Sequence, residues 1–154
     1  MRRCSSLVCW LTVGAAARVL AQEPQGFEAG VQGVGALATP SFFGAGVTGA
    51  LRPGGRLRLS IGVFPGTQDG RFAFRGEVAG HFMLNPARRH GLGFYGAGGI
   101  AALLGPRDAG YVMLGLGVET APGGRSGLMI EAGVGGGARI SIGWRRRWLW
   151  APSR

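Results

Sequence analysis

The residues able to do chemistry are few: His81, the hydroxyls of Ser60 and Ser141, and Glu77 as the acid nearest His81 along the chain. Serine, imidazole and carboxylate together make an acyl-transfer constellation, in which the ring takes the hydroxyl proton and the acid orients the ring. Along one strand the spacing works against it. Glu77 and His81 share a parity, but four extended residues put them about 13 Å apart at ~3.3 Å per residue. Orientation of the ring would need an acid from another strand. The expectation is therefore an inward histidine satisfied by polar neighbours, with no catalytic residue assigned. His90 falls in a turn and is expected to be solvated.

Other chemistries find less support. Cys4 and Cys9 both lie within the first 21 residues, so the remainder offers two isolated histidines and no thiol. That excludes a cysteine-based metal or redox site and a disulfide staple, and no cofactor is expected. Gly96-Ala97-Gly98-Gly99 and the run Gly133 to Gly137 superficially resemble phosphate cradles, but neither leads into a helix, as such a site requires. Arg145-Arg146-Arg147 between Trp144 and Trp148 could neutralise and stack on single-stranded nucleic acid. At a membrane rim the same residues meet headgroup phosphates, and that reading is preferred.

Charge and targeting support this choice. Arg2 and Arg3, the apolar stretch Leu7 to Ala17 and the small-residue site Val19-Leu20-Ala21 read as a signal peptide over residues 1–21. Arg18 stops the apolar run short of the roughly 20 residues a spanning helix needs. Residues 22–154 then form one domain with 14 arginines, no lysine and seven acids, a net charge near +7. A basic cytosolic chain would suggest nucleic acid; here the secretion signal and the scattering of the arginines argue against it.

The elements that must position these residues are strands. In Arg56-Leu57-Arg58-Leu59-Ser60-Ile61-Gly62-Val63, apolar residues alternate with the rest, and successive side chains leave opposite faces of a pleated strand. Eight strands are predicted: Phe27–Leu37, Phe42–Leu51, Arg56–Phe64, Arg71–Leu84, Leu92–Leu104, Tyr111–Thr120, Leu128–Val134 and Ala138–Trp148. Pro and Gly turns punctuate them, giving an antiparallel up-and-down meander. The alternation falters at Gly33-Val34-Gly35. Strands of about 9–11 residues can cross a bilayer when tilted, and a sheet in hydrocarbon must close on itself.

Alternation alone does not say which face is wet. A soluble barrel holding a small apolar ligand gives the same pattern with the faces exchanged. Three features favour apolar side chains outward. The other face carries Gly93, Gly99, Gly115, Gly117, Gly133, Gly135 and Gly143, which weaken a water-facing strand but make room inside a narrow bore. On the same parity lie charges of both signs, Arg56, Arg58, Arg75, Glu77, Glu119, Glu131, Arg139 and Arg145, with His81, as a buried polar network requires. The apolar face carries Phe72, Phe74, Phe82 and Phe94, and Trp144, Trp148 and Trp150 near the end, as an interfacial girdle would.

On these residues the chain resembles the OmpA/OmpX-like family, the small eight-stranded outer-membrane barrels of Gram-negative bacteria. The last strand, Arg139-Ile140-Ser141-Ile142-Gly143-Trp144-Arg145-Arg146-Arg147-Trp148, is its most family-like part. The resemblance implies an all-β, eight-stranded antiparallel transmembrane barrel in the cell outer membrane, with both termini in the periplasm. Its implied partners are outer-membrane lipids and the barrel assembly machinery, which reads the final aromatic strand. Two departures stand out: the chain runs past Trp150 to Arg154, and every connection is short, whereas adhesion and receptor roles live in long loops. The family's lipid A deacylases place His and Ser two apart on one strand, where this chain has Met83 after His81. The expected function is structural or related to membrane integrity, with a lumen filled by Arg, Glu, Tyr95 and Tyr111. A soluble ligand-binding barrel and a lipid A-modifying enzyme centred on His81 are the alternatives.

Overall fold

Alternating faces and short turns give one closed sheet. The computed structural model describes residues 26–149. Among them are eight strands: β1 (Gly26–Leu37), β2 (Phe42–Gly54), β3 (Leu57–Gln68), β4 (Arg71–Met83), β5 (Leu92–Leu104), β6 (Ala109–Thr120), β7 (Ser126–Val134) and β8 (Ala138–Leu149). Each pairs antiparallel with the next, and β8 returns to β1 to close the barrel. The closing seam runs from Gly26 opposite Leu149 to Leu37 opposite Ala138. No edge is left exposed, the condition for placing a sheet in hydrocarbon. The predicted signal peptide, residues 1–21, and Trp150 lie outside the described residues.

Gly26 and Leu149 define the lower end of the barrel, where the turns 55–56, 84–91 and 121–125 also lie. The upper end carries the connections 38–41, 69–70, 105–108 and 135–137. Strand boundaries differ from the predicted ones where proline misled. Pro65 was expected to begin a turn, yet β3 runs through it, with Pro65 opposite Phe74 on β4. Pro53 likewise does not end β2. The β2–β3 register shifts between Leu51 and Gly54, and that irregularity absorbs the missing donor.

The shift also corrects one assignment. Gly54 and Gly55 take positive φ, 122° and 65°, and Gly54 pairs with Leu57, so Arg56 falls in the tight turn. Its side chain is exposed at the lower end and does not belong to the lumen. Arg52, on the far side of the same hairpin, takes the buried position, 4 % exposed.

The two faces sort cleanly. Leu116 is 76 % exposed and Val112 71 %, whereas Arg75 is 1 % exposed and Glu119 is fully buried. This inverts the distribution of a water-soluble barrel. A continuous apolar outer surface far exceeds the patch a soluble monomer presents, and marks a membrane or a partner. Phe43, Phe72 and Phe74 stand on the outer face toward the upper end, with Phe72 and Phe74 edge to face at 5.0 Å. Phe27, Phe82, Phe94 and Trp148 stand toward the lower end, Phe27 and Trp148 stacked at 6.0 Å. Trp144 faces outward between Val31 and Leu128, four residues above Trp148 on β8.

Candidate functional site

Inward side chains organise the lumen into two ionic layers. In the lower one, Glu119 from β6 accepts from Arg58 Nη1 at 2.7 Å, Arg145 Nε at 3.1 Å and Arg52 Nη2 at 3.2 Å. Glu28 from β1 accepts from Arg147 Nε at 2.6 Å and lies 2.9 Å from Arg52 Nε. Two carboxylates thus hold four guanidiniums, and the excess is taken up by carbonyls. Arg145 donates to the carbonyls of Ala121 and Pro122, and Arg147 to that of Pro122. The planar fork of arginine suits such shared recognition.

The upper layer is built around Glu77 from β4. Arg75 Nε donates to it at 2.7 Å, and Arg139 grips both of its oxygens, at 3.0 and 2.7 Å. Arg139 Nη1 also bonds Glu131 from β7. Arg75 reaches on to the carbonyl of Gly135 at 2.8 Å.

His81 sits between the layers, and here three strands meet. Ser60 Oγ is 2.8 Å from Nε2, and Arg58 Nη2 is 3.2 Å from Nδ1. Glu131 Oε2 lies 3.8 Å from Nδ1, so β7 brings the acid that Glu77 could not. The constellation has the residue types of a triad with the protons reversed. Guanidinium only donates, so Nδ1 must accept from Arg58 and the ring proton belongs on Nε2, pointing at Ser60. A ring in that tautomer cannot take the serine proton. Ser141, the other candidate nucleophile, instead accepts from Gln32 Nε2 at 2.7 Å.

Buried side chains lie at both ends of the lumen. At the lower one, Pro122 is fully buried against Gly93, where a Cβ would come within 2.6 Å of its ring. At the upper one, Val34, Ala36, Phe42, Phe64, Ala73 and Leu103 form an apolar cluster with Tyr111 against it. Gln68 ties the connection 105–108 beside this cluster by two bonds to the Arg107 backbone, 3.0 and 2.9 Å. Among the described residues, two small spaces of about 30 and 40 Å³ lie between the ionic layers, both bordered by Gln32, Thr48, Ser60, His81 and Glu131. Each is the size of a water or two.

The structure therefore brings together Arg58, Arg75, Glu77, His81, Glu119, Glu131, Arg139 and Arg145, and leaves Arg56 outside. It adds Glu28, Arg52 and Arg147, which the sequence reading missed. Glu28 shares its parity with Gly30 and Gln32, a signal that was available; Arg52 was hidden by Pro53, and Arg147 by the arginine run. The apolar seal was missed for a different reason. Val34 and Phe42 face inward, so the lumen is not polar along its whole length, and this is why the alternation falters at Gly33-Val34-Gly35. Of the girdle aromatics, Phe72, Phe94, Trp144 and Trp148 face outward.

Comparison with known proteins supports the same architecture. No protein-family model matches the chain, and no curated protein matches it. Among solved structures it is similar to the N-terminal β-barrel domain of Pseudomonas aeruginosa OprF, at TM-score 0.59 and 11 % identity, covering 79 % of this chain and 97 % of that one. It is also similar to Neisserial surface protein A, NspA, at TM-score 0.53 and 12 % identity, covering 80 % and 97 %. The chain has the closed, eight-stranded antiparallel fold of the small outer-membrane barrels.

Proposed function

We propose that the protein is an integral outer-membrane barrel with a closed lumen and a structural, membrane-integrity role. The observation that carries this reading is the sorting of the two faces: an aliphatic and aromatic exterior, charged only at Arg146 near the lower end among the described strands, over an interior of paired charges. Such an exterior is unfavourable in water at about 25 cal/mol per Å² of apolar surface, and it is matched by acyl chains. The interior is filled by the two ionic layers, Tyr95 and the apolar seal, leaving no bore of porin dimensions. Short connections leave little surface for a receptor or adhesion site. Outer-membrane lipids and the barrel assembly machinery are its partners in this reading.

The enzyme reading centred on His81 is the less supported alternative, because the ring proton faces the serine and the ring is not placed to take the hydroxyl proton. Cell fractionation tests the main reading. The protein is expected in the detergent-resistant outer-membrane fraction; recovery from the soluble periplasm would end it. His81→Ala is expected to leave the lipid A mass spectrum of expressing cells unchanged, and a shifted acyl mass would restore the enzyme.

A further inference from the structure

The thirteen arginines of the described residues divide by position in a way that the lumen does not explain. Six are inside: Arg52, Arg58, Arg75, Arg139, Arg145 and Arg147. Two, Arg71 and Arg107, are exposed at the upper end, where Asp69 and Asp108 balance them. Both of these aspartates stitch connections, Asp69 to the Ser41 amide at 3.0 Å and Asp108 to that of Gly105 at 2.8 Å. The remaining five, Arg56, Arg88, Arg89, Arg125 and Arg146, are exposed at the lower end. Among the described residues no carboxylate is exposed there.

Their placement is circumferential. Arg56 occupies the β2–β3 turn, Arg88 and Arg89 the β4–β5 connection, Arg125 the β6–β7 turn, and Arg146 the outer face of β8. Every lower connection thus carries arginine, and the closing strand supplies the remaining sector. Arg146 points toward the lipid side, since it lies 5.7 Å over the ring of Trp148, which stacks in turn on Phe27. The charges sit beside the aromatic band of Phe27, Phe82, Phe94 and Trp148, at the depth where headgroups would lie.

We infer that these arginines form a collar that binds the phosphates of anionic phospholipids in the leaflet at the lower end of the barrel. The inference rests on the membrane reading above. A single docked macromolecule would concentrate its contacts on one sector or on the end of the barrel. A charge in every sector, next to the apolar belt, matches a ring of lipid instead. Guanidinium pairs phosphate through two parallel bonds, which explains arginine here better than a point charge would. The upper end, balanced in sign, is expected to show no such preference. Each arginine–phosphate pair is expected to favour an anionic lipid over a zwitterionic neighbour by about five-fold.

The test uses protein purified from membranes and reconstituted in phosphatidylcholine vesicles holding a trace of spin-labelled phosphatidylglycerol or, in parallel, spin-labelled phosphatidylcholine. The immobilised fractions are expected to show an anionic preference of about five-fold that weakens as salt is raised. Arg56→Gln, Arg89→Gln, Arg125→Gln and Arg146→Gln together are expected to abolish it; Arg88 is spared because it orders its own connection by bonds to the His90 and Leu92 carbonyls. Should that variant fail to fold, Arg125→Gln and Arg146→Gln singly are each expected to lower the preference. Arg71→Gln with Arg107→Gln is expected to keep it. A wild-type barrel that inserts without preference, or collar variants that retain it, would overturn the collar alone. A protein that binds an acidic cell-wall polymer but no anionic lipid would overturn it as well. Failure to enter vesicles at all would overturn the membrane reading with it.

Discussion

At Glu119 three guanidiniums converge on one fully buried carboxylate, so its loss would strand buried charge, as would the loss of Glu28, which faces four. Glu131 is less exposed to that penalty, because its main partner Arg139 keeps both bonds to Glu77. Breaking a buried ion pair by removing one partner costs about 3–5 kcal/mol. Glu119→Gln is therefore expected to lower stability by about that much, and Glu131→Gln by clearly less. Reversible urea unfolding of the barrel in lipid would measure both, and equal losses would contradict the layer assignment. The charged residues were legible in the sequence to the extent that parity held. Glu77, Glu119 and Glu131 fell on inward positions of clean strands, whereas Arg52 sat beside Pro53 in what read as a turn. Arg56 was misplaced by the same hairpin: the register slips by one residue between the Leu51–Leu59 and Gly54–Leu57 pairs, and β3 starts at Leu57, which leaves Arg56 in the turn. The pairing itself was not legible. Glu131 reaches His81 across the bore, and no spacing along one strand encodes that.

At the scale of the strand, inward glycine makes room for large neighbours. Inward Gly117 leaves the space that the Tyr95 ring occupies, the two being in direct contact across the β5–β6 pair. Inward Gly62 does the same for Phe64, whose ring would lie 2.6 Å from an added Cβ. The sequence reading placed glycine inside to admit long neighbours, and at these positions the neighbours can now be named. On the outer face, strand positions are set by depth in the membrane. Leu114 lies midway along β6 and is 62 % exposed, so Leu114→Arg would put a charge near the middle of the apolar belt. In lipid that substitution is expected to cost about 2–4 kcal/mol, and Thr120→Arg, at the strand's lower end, about 0–1 kcal/mol. Unfolding measured in bilayers distinguishes them; equal tolerance at the two depths would mean that the outer face does not meet hydrocarbon.

For the molecule as a whole, the proposed closure of the lumen rests on two unlike devices in series. Ionic layers fill its lower and middle parts, and an apolar cluster fills the upper end. Each alone would obstruct an ion, the first by occupying the bore with paired side chains and the second by offering no polar contact. Phe42 and Phe64 are the largest members of the seal, each 1 % exposed. Truncating both to alanine removes much of the seal, at a stability cost of about 3–5 kcal/mol each, while the arginine–glutamate layers beneath remain. In planar bilayers the wild type is expected to pass no sustained current, and Phe42→Ala with Phe64→Ala is expected to pass none either. A steady current through the double variant would place the barrier in the seal alone; a steady current through the wild type would show that the paired charges part readily, and the closed-lumen reading would fail.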